Sequence, residues 1–143
     1  MTRALDLAAV AGAAGDVPVG AVVVDAAGAV IGEGRNLREL TNDPTAHAEI
    51  LAMRQAAASI DSWNLDGCTL VVTLEPCLMC AGALLQSRVS RVVFGAWDEK
   101  AGAAGSVYDV VRDRRLPHRA EVVGGVGEDL AVSLLRDFFD AKR

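Results

Sequence analysis

The sequence contains few cysteines and no long apolar run. Three of its 143 residues are cysteine, which suits a metal site in a reducing compartment better than a disulfide framework. No segment approaches the roughly 20 consecutive apolar residues that a membrane helix needs, so we expect no membrane partner. The start of the chain also lacks the basic segment and long apolar core of a secretory signal. The expected location is therefore cytoplasmic.

Positive charge is also scarce. The formal net charge is −5 and the isoelectric point is near 4.9, which argues against a non-specific nucleic-acid binder but permits a local basic surface. One candidate lies in residues 112–119, where Arg114 and Arg115 are two of five basic or histidine residues accompanied by a single acid, Asp113. Lys142 and Arg143 form a second candidate. The alternative for the 112–119 segment is a solvated surface without a ligand.

The composition and the order of predicted elements indicate one α/β domain over residues 1–143. Hydrophobic residues make up 52% of the chain, which excludes disorder and is enough for a core. We predict a three-layer α/β/α fold, in which a five-stranded mixed sheet has helices on both faces. The first two strands should form an antiparallel hairpin, and the following β-α-β-α-β part should be parallel. The predicted strands are 17–24, 30–36, 69–74, 89–95 and 120–123; the predicted helices are 4–14, 44–58, 76–87, 128–139 and a short one at 107–113.

Cys77 and Cys80 begin one of these helices, directly after the strand at 69–74. Pro76 suits the first helical position, because its missing N–H would be unpaired there. The two sulfurs then share one face of the first turn, near the positive end of the helix dipole, which favours thiolates. A lone Cys-x-x-Cys in this place would equally suit a thiol–disulfide oxidoreductase.

His47 and Glu49 lie near the start of another predicted helix, for which Asp43 is a plausible N-cap and Pro44 a plausible first residue. Helical side chains tilt toward the N-terminus, so both can reach a point just ahead of the helix. One imidazole and two thiolates would leave the fourth position of a tetrahedral zinc ion open, as catalytic zinc sites do. Zinc lowers the pKa of a bound water toward roughly 7, and Glu49 would lie beside that open position to carry protons.

His-x-Glu followed by Pro-Cys-x-x-Cys is the signature of zinc-dependent nucleobase deaminases. Further stretches at 17–22, 43–50, 73–83, 91–96, 102–106 and 137–139 resemble the bacterial tRNA-specific adenosine deaminases of the cytidine and deoxycytidylate deaminase superfamily. The resemblance implies a homodimeric hydrolase that binds one zinc ion per chain. It also implies a tRNA anticodon stem-loop as partner, whose wobble adenosine is converted to inosine.

The resemblance also implies roles for individual residues. His47, Cys77 and Cys80 would bind zinc, and Glu49 would be the proton shuttle. Asn36 would hydrogen-bond the flipped-out base, and Asp98 would contact the anticodon backbone. Phe139, in the matching Phe-Phe pair, joins Arg114 and Arg115 from the basic segment as a candidate RNA contact.

The sequence departs from the family pattern on the expected RNA side. Arg35 and Leu37 flank Asn36 where an aromatic and a basic residue are more usual, and Trp97 replaces a common arginine. Trp97 is interpreted either as a partly buried core or interface residue or as a platform for a splayed base.

Two other function classes compete with a tRNA deaminase. A deaminase of a free base such as guanine or cytosine would use the same zinc chemistry, and the acidic composition favours it. A non-catalytic zinc-stabilised binding domain is a second alternative, but it would have no use for a free carboxylate at Glu49.

Overall fold

The computed structural model describes residues 1–143 and shows a five-stranded mixed sheet with helices on both faces. This is the predicted fold class. The strands are β1 (Gly20–Val24), β2 (Val30–Arg35), β3 (Thr69–Leu74), β4 (Arg91–Ala96) and β5 (Glu121–Val123); the helices are α1 (Thr2–Ala13), α2 (Arg38–Thr41), α3 (Ala48–Ser59), α4 (Leu78–Gln86) and α5 (Glu128–Ala141). No helix is long and apolar enough to cross a membrane.

The strand order β2-β1-β3-β4-β5 positions the site. Strand β1 runs antiparallel to both of its neighbours, whereas β3, β4 and β5 are parallel to one another. Strands β2 to β5 therefore share one direction, as predicted. The ends of β2, β3 and β4 lie at the same edge of the sheet, so the residues that follow Arg35, Leu74 and Ala96 converge there. This is the edge at which α/β proteins usually bind ligands.

Helices α1 and α3 pack closely on the sheet, because the strand residues that face them are glycines, which have no Cβ atom. A Cβ atom at Gly20 would lie 2.0 Å from the carbonyl oxygen of Ala4 in α1, and one at Gly34 would lie 2.2 Å from that of Ala48 in α3. The helix residues at these two contacts are alanines, so the helix backbone packs directly against the backbone of the strand. The main core lies between the sheet and the layer of α3 and α4, around buried Phe94.

Both helices that carry the candidate ligands begin later than predicted. Helix α3 begins at Ala48, not Pro44, and α4 begins at Leu78, not Pro76. Asp43 instead accepts a hydrogen bond from the Thr45 N–H at 2.9 Å in a turn, and the Pro76 carbonyl accepts one from the Ala103 N–H. His47 and Cys77 are therefore extended N-cap residues, not residues inside the first turn.

Two other predictions were wrong. A short helix, α2, lies between the predicted strand at 30–36 and the predicted helix at 44–58, where no helix was predicted. The helix predicted at 107–113 is absent, because Ala104 pairs with Asp109 in an isolated antiparallel bridge and the Gly105 N–H donates to the Tyr108 carbonyl at 2.9 Å. Those backbone groups are thereby unavailable for helical hydrogen bonds.

The glycine contacts generate a stability prediction. Gly34→Ala should lower the free energy of unfolding by about 1–3 kcal/mol or more, because the new methyl group overlaps the α3 backbone. Gly82→Ala is the matched control, since a Cβ at this α4 position meets nothing within 4 Å. It should leave stability unchanged or raise it by about 0.5–1 kcal/mol. Urea unfolding of both variants measures the difference, and equal stabilities would contradict the close α3–sheet contact.

Candidate active site

Three candidate ligand atoms converge at the sheet edge. Nδ1 of His47 lies 3.6 Å from Sγ of Cys77 and 3.5 Å from Sγ of Cys80, and all three atoms lie within 4.8 Å of one another. Ligands at about 2.3 Å (sulfur) and 2.1 Å (nitrogen) from a shared tetrahedral zinc ion would be about 3.5 Å apart. The spacing therefore fits one zinc ion. No fourth ligand residue belongs to the cluster, which is the pattern of an open, catalytic site.

The N-cap positions explain this convergence. His47 (φ −75°, ψ 150°) and Cys77 (φ −72°, ψ 174°) have extended backbones, so their side chains project from the helix starts. Cys80 lies one turn further along α4. Cys77 also forms an isolated backbone bridge with Gly102, which holds the start of α4 against the loop after β4.

The cluster favours a thiolate. Hydrogen bonding from the Cys80 thiol, and then from His47, lowers the pKa of Cys77 to about 4 against the opposing effect of burial. The pKa of Cys80 is raised, because its thiol proton is hydrogen-bonded to Cys77 and because the side chain is buried. A metal ion that displaces this proton would meet two sulfur ligands already in position.

Glu49 is the second residue of α3 and is only 4% exposed. Burial, followed by the negative charge of Cys77, raises its pKa to about 7. A carboxyl group with a pKa near neutrality can both accept and donate a proton, which is what general acid–base catalysis needs. Glu49 is not one of the three clustered ligand residues, although it lines the same cavity.

The cavity has a volume of about 170 Å³. This is small beside the ~300–1,000 Å³ of clefts that bind drug-sized ligands, so it suits a single base. Asn36, 7% exposed, lines one wall. Its Oδ1 accepts a weak hydrogen bond from the Arg38 N–H at 3.4 Å, and no protein group pairs with its side-chain NH2. The lining residues are Val17, Val19, Asn36, Arg38, His47, Ala48, Glu49, Leu74, Glu75, Cys77, Asp98 and Ala101.

Asp98 lies at the same cavity, on the opposite loop. Its Oδ1 accepts hydrogen bonds from the Lys100 and Ala101 N–H groups at 3.0 and 3.2 Å. Its own N–H donates to Glu75 at 3.1 Å. Trp97 packs edge-on against Phe94, with ring centroids 4.8 Å apart, and remains 44% exposed. This contact agrees with a partly buried residue and leaves one side of the indole accessible.

The other three predicted RNA contacts lie outside the cavity. Phe139 lines a shallow depression together with Lys100, Arg136, Asp140, Lys142 and Arg143. The Arg115 guanidinium is paired with Asp113 at 2.7 Å. Shortly after Arg114 and Arg115, His118 contacts the Val89 carbonyl at 3.0 Å, just before β4 and thus toward the edge opposite the cavity.

Sequence reasoning missed two buried acids that hold the cavity walls. Asp16 and Glu75 are each 1% exposed. Asp16 Oδ2 accepts hydrogen bonds from the Glu39 and Leu40 N–H groups at 2.9 and 3.2 Å, and so caps α2 beside Asn36. Nothing in the sequence marked Asp16. Glu75 does stand next to the Pro-Cys-x-x-Cys motif, which was the only available signal.

Comparison with known proteins gives a consistent result. Residues 1–96 match the family model "Cytidine and deoxycytidylate deaminase zinc-binding region". A tRNA-specific adenosine deaminase of Haemophilus influenzae is 50% identical over 143 residues, which are 100% of this chain and 83% of the relative.

Solved structures show the same likeness. One from a study of A-to-I editing by tRNA:A34 deaminases at the wobble position superposes with a TM-score of 0.90 and 39% identity, over 94% of this chain and 97% of that one. The guanine deaminase of Nitrosomonas europaea superposes with a TM-score of 0.83 and 30% identity, over 96% and 81% of the two chains.

The geometry generates a prediction about metal content. Glu49→Gln should retain one zinc ion per chain, because its carboxylate is not in the ligand cluster. His47→Ala should lose most of the zinc, because it removes one of three protein ligands. Elemental analysis of dialysed protein measures both. If Glu49→Gln also loses its zinc, the ligand set has been misassigned.

Proposed function

Because this chain belongs to the family of cytidine and deoxycytidylate deaminases with a zinc-binding region, we propose that it deaminates adenosine to inosine at the wobble position of a tRNA anticodon. The observation that carries the proposal is the cavity that Asn36 and Glu49 line together with His47 and Cys77 of the candidate zinc cluster. Full-length similarity to tRNA-specific adenosine deaminases supports the substrate.

In this reaction water attacks C6 of adenine, a C6–O bond forms, and the C6–N bond breaks to release ammonia. His47, Cys77 and Cys80 would hold the zinc ion, which when bound supplies Lewis acidity and lowers the pKa of a water molecule at the site. Glu49 would take a proton from the attacking water and deliver protons to the ring nitrogen and to the departing amine. Burial raises the pKa of Glu49 in the absence of a metal ion, which favours a carboxyl group that can hold a proton as well as release one.

Asn36 would orient the base. It lines the cavity, and its side-chain NH2 has no partner in the protein, so this group can donate a hydrogen bond to the base. The cavity admits one base, which must therefore leave its neighbours before it enters. A base in an anticodon loop is less constrained than one in a duplex and costs less to flip.

The RNA backbone would follow a basic surface that begins at the cavity. Lys100 belongs to the loop that Asp98 organises, and it also lines the depression with Phe139, Lys142 and Arg143. Basic side chains next to an exposed aromatic ring suit single-stranded RNA. We also propose contacts from Arg114 and Arg115, although their position toward the opposite edge of the sheet favours the depression as the main surface.

A homodimer is part of the proposal. The apolar residues Ala81, Leu84 and Leu85 of α4 do not form its interface, because they are buried in the core of their own chain. The groove between α3 and α4 is a better candidate, since it is lined largely by apolar residues, including Trp63, which is 65% exposed. We further propose that residues 1–143 act as one deaminase domain in the cytoplasm.

A free-base deaminase is the second candidate. The small cavity, the net charge of −5 and the similarity to a guanine deaminase favour it. A tRNA deaminase and a free-base deaminase would use the same zinc chemistry. They differ in whether the reacting base is part of an RNA chain. Substrate comparison therefore separates them.

The activity is tested with an anticodon stem-loop that carries adenosine at the wobble position, beside free guanine and cytosine. We expect inosine from the stem-loop, detected by nucleoside mass spectrometry, and no deamination of the free bases. Glu49→Gln is the matched control and should lower turnover by at least about 10²-fold through loss of proton transfer. Deamination of a free base alone would favour the alternative.

The RNA surface is tested by the salt dependence of binding. Replacing Lys142 and Arg143 by Ala should lower the slope of log affinity against log salt by about 1.4, or roughly 0.7 for each lost phosphate contact. Arg114→Ala with Arg115→Ala should act in the same direction if these side chains touch RNA. Asn36→Ala should instead reduce turnover at saturation and leave the slope unchanged. If either double mutant keeps the wild-type salt slope, its two replaced side chains lie outside the RNA interface.

Assembly is tested by sedimentation at micromolar concentration, where we expect twice the chain mass of 14.9 kDa. Trp63→Glu should shift the protein toward monomer, because it places a charge in the apolar groove. A wild-type monomer would contradict the dimer. A dimer unaffected by Trp63→Glu would contradict only this interface.

A further inference from the structure

Glu75 is a buried carboxylate outside the candidate ligand cluster. It is 1% exposed and lies between the end of β3 and the Pro76-Cys77 start of α4. Its Oε1 accepts hydrogen bonds from the Asp98 N–H at 3.1 Å and from the Ser106 hydroxyl. Its Oε2 accepts from the Ala104 and Ser106 N–H groups at 3.0 and 3.1 Å. All four bonds have the carboxylate as acceptor, as suits an ionised group.

These four hydrogen bonds attach the loop of residues 98–106 to the side chain of Glu75. Residues 98–106 run from the cavity wall at Asp98 and Ala101, past Glu75, and on to Ser106. Gly102 leaves room for the carboxylate, since a Cβ there would lie 2.3 Å from Cδ of Glu75. The loop is also tied to the other side of Glu75, through the Cys77–Gly102 bridge and a 2.8 Å hydrogen bond from the Ala103 N–H to the Pro76 carbonyl.

We propose that Glu75 is a positioning residue, which fixes Asp98 at the cavity mouth and thereby sets the affinity for RNA. The inference rests on the proposed function and deepens it. Glu75 acts through Asp98, because it holds the Asp98 N–H while Asp98 itself organises the Lys100 and Ala101 N–H groups. One side chain thus joins the start of α4 to the loop that leads toward the basic depression.

The kinetic test uses Glu75→Gln, which keeps the shape but sets an amide NH2 against two of the donors. Hydrogen bonds to charged groups contribute enough that we expect KM for the stem-loop to rise about tenfold or more. We expect kcat to stay within about threefold of wild type, with one zinc ion per chain, because Glu49 and the ligands are unchanged. Ser106→Ala, which removes one of four donors, should raise KM by a smaller factor.

A double-mutant cycle separates positioning from general destabilisation. If Glu75 acts through Asp98, Glu75→Gln should have little further effect on KM in an Asp98→Ala background. Val23→Ala is the control, since Val23 is fully buried in β1 and lines neither the cavity nor the groove between α3 and α4. It should lower the melting temperature without changing KM. Additive effects on KM, a fall in kcat alone, or loss of zinc in Glu75→Gln would overturn the inference.

Amide hydrogen exchange tests the positioning without a substrate. The Asp98, Ala104 and Ser106 amides should exchange at least about tenfold faster in Glu75→Gln, whereas amides in β3 should keep wild-type rates. Unchanged exchange at these three amides would overturn the inference even if the enzyme is active. If the wild-type protein does not deaminate the stem-loop, the proposed function fails and exchange alone decides the role of Glu75.

Discussion

The candidate zinc site depends on the starts of α3 and α4 lying next to each other at one edge of the sheet. His47 and Cys77 are each the residue just before a helix, and they meet because β2 and β3 end at the same edge of the sheet. Close packing of α3 on Gly34 and the hydrogen bond that draws Pro76 toward Ala103 fix where each helix begins. A helix that started one turn earlier would point its ligand elsewhere. The zinc-sized spacing of the ligand atoms is thus a consequence of backbone packing.

Asp16, Glu49 and Glu75 are buried near this site. The unfavourable burial of a carboxyl group is compensated differently in each of them. Asp16 and Glu75 accept hydrogen bonds from several backbone N–H groups, so their buried oxygens are paired and they hold the two cavity walls. For Glu49 burial dominates, and its pKa rises to about 7. The two satisfied carboxylates keep the loops in place, and the third is left able to exchange protons. Structural and chemical roles are thereby separated among residues of similar type.

Much of this could be predicted from the sequence, because the signals were local. The β-branched strand Thr69–Leu74 and the Cys77–Cys80 spacing predicted the sheet core and half of the ligand cluster, and His47 and Glu49 were placed near a helix start. What could not be predicted depended largely on distant backbone groups. Pro44 and Pro76 both suit first helical positions. A local turn from Asp43 to Thr45 holds Pro44 outside its helix, whereas a hydrogen bond from the distant Ala103 N–H holds Pro76 outside the other. Apart from the adjacent Val17 N–H, the backbone donors to Asp16 and Glu75 lie 23 or more positions away along the chain, which no sequence period reveals.

X-ray absorption at the zinc edge of the purified protein measures directly whether three protein ligands bind one zinc ion and leave its fourth position open. We expect two sulfur neighbours at about 2.3 Å and two nitrogen or oxygen neighbours at about 2.0–2.1 Å, one from His47 and one from solvent. In Cys80→Ser, one of the two sulfur neighbours should be lost. A shell with three or four sulfur neighbours, or one unchanged in Cys80→Ser, would show that these residues do not form an open zinc site.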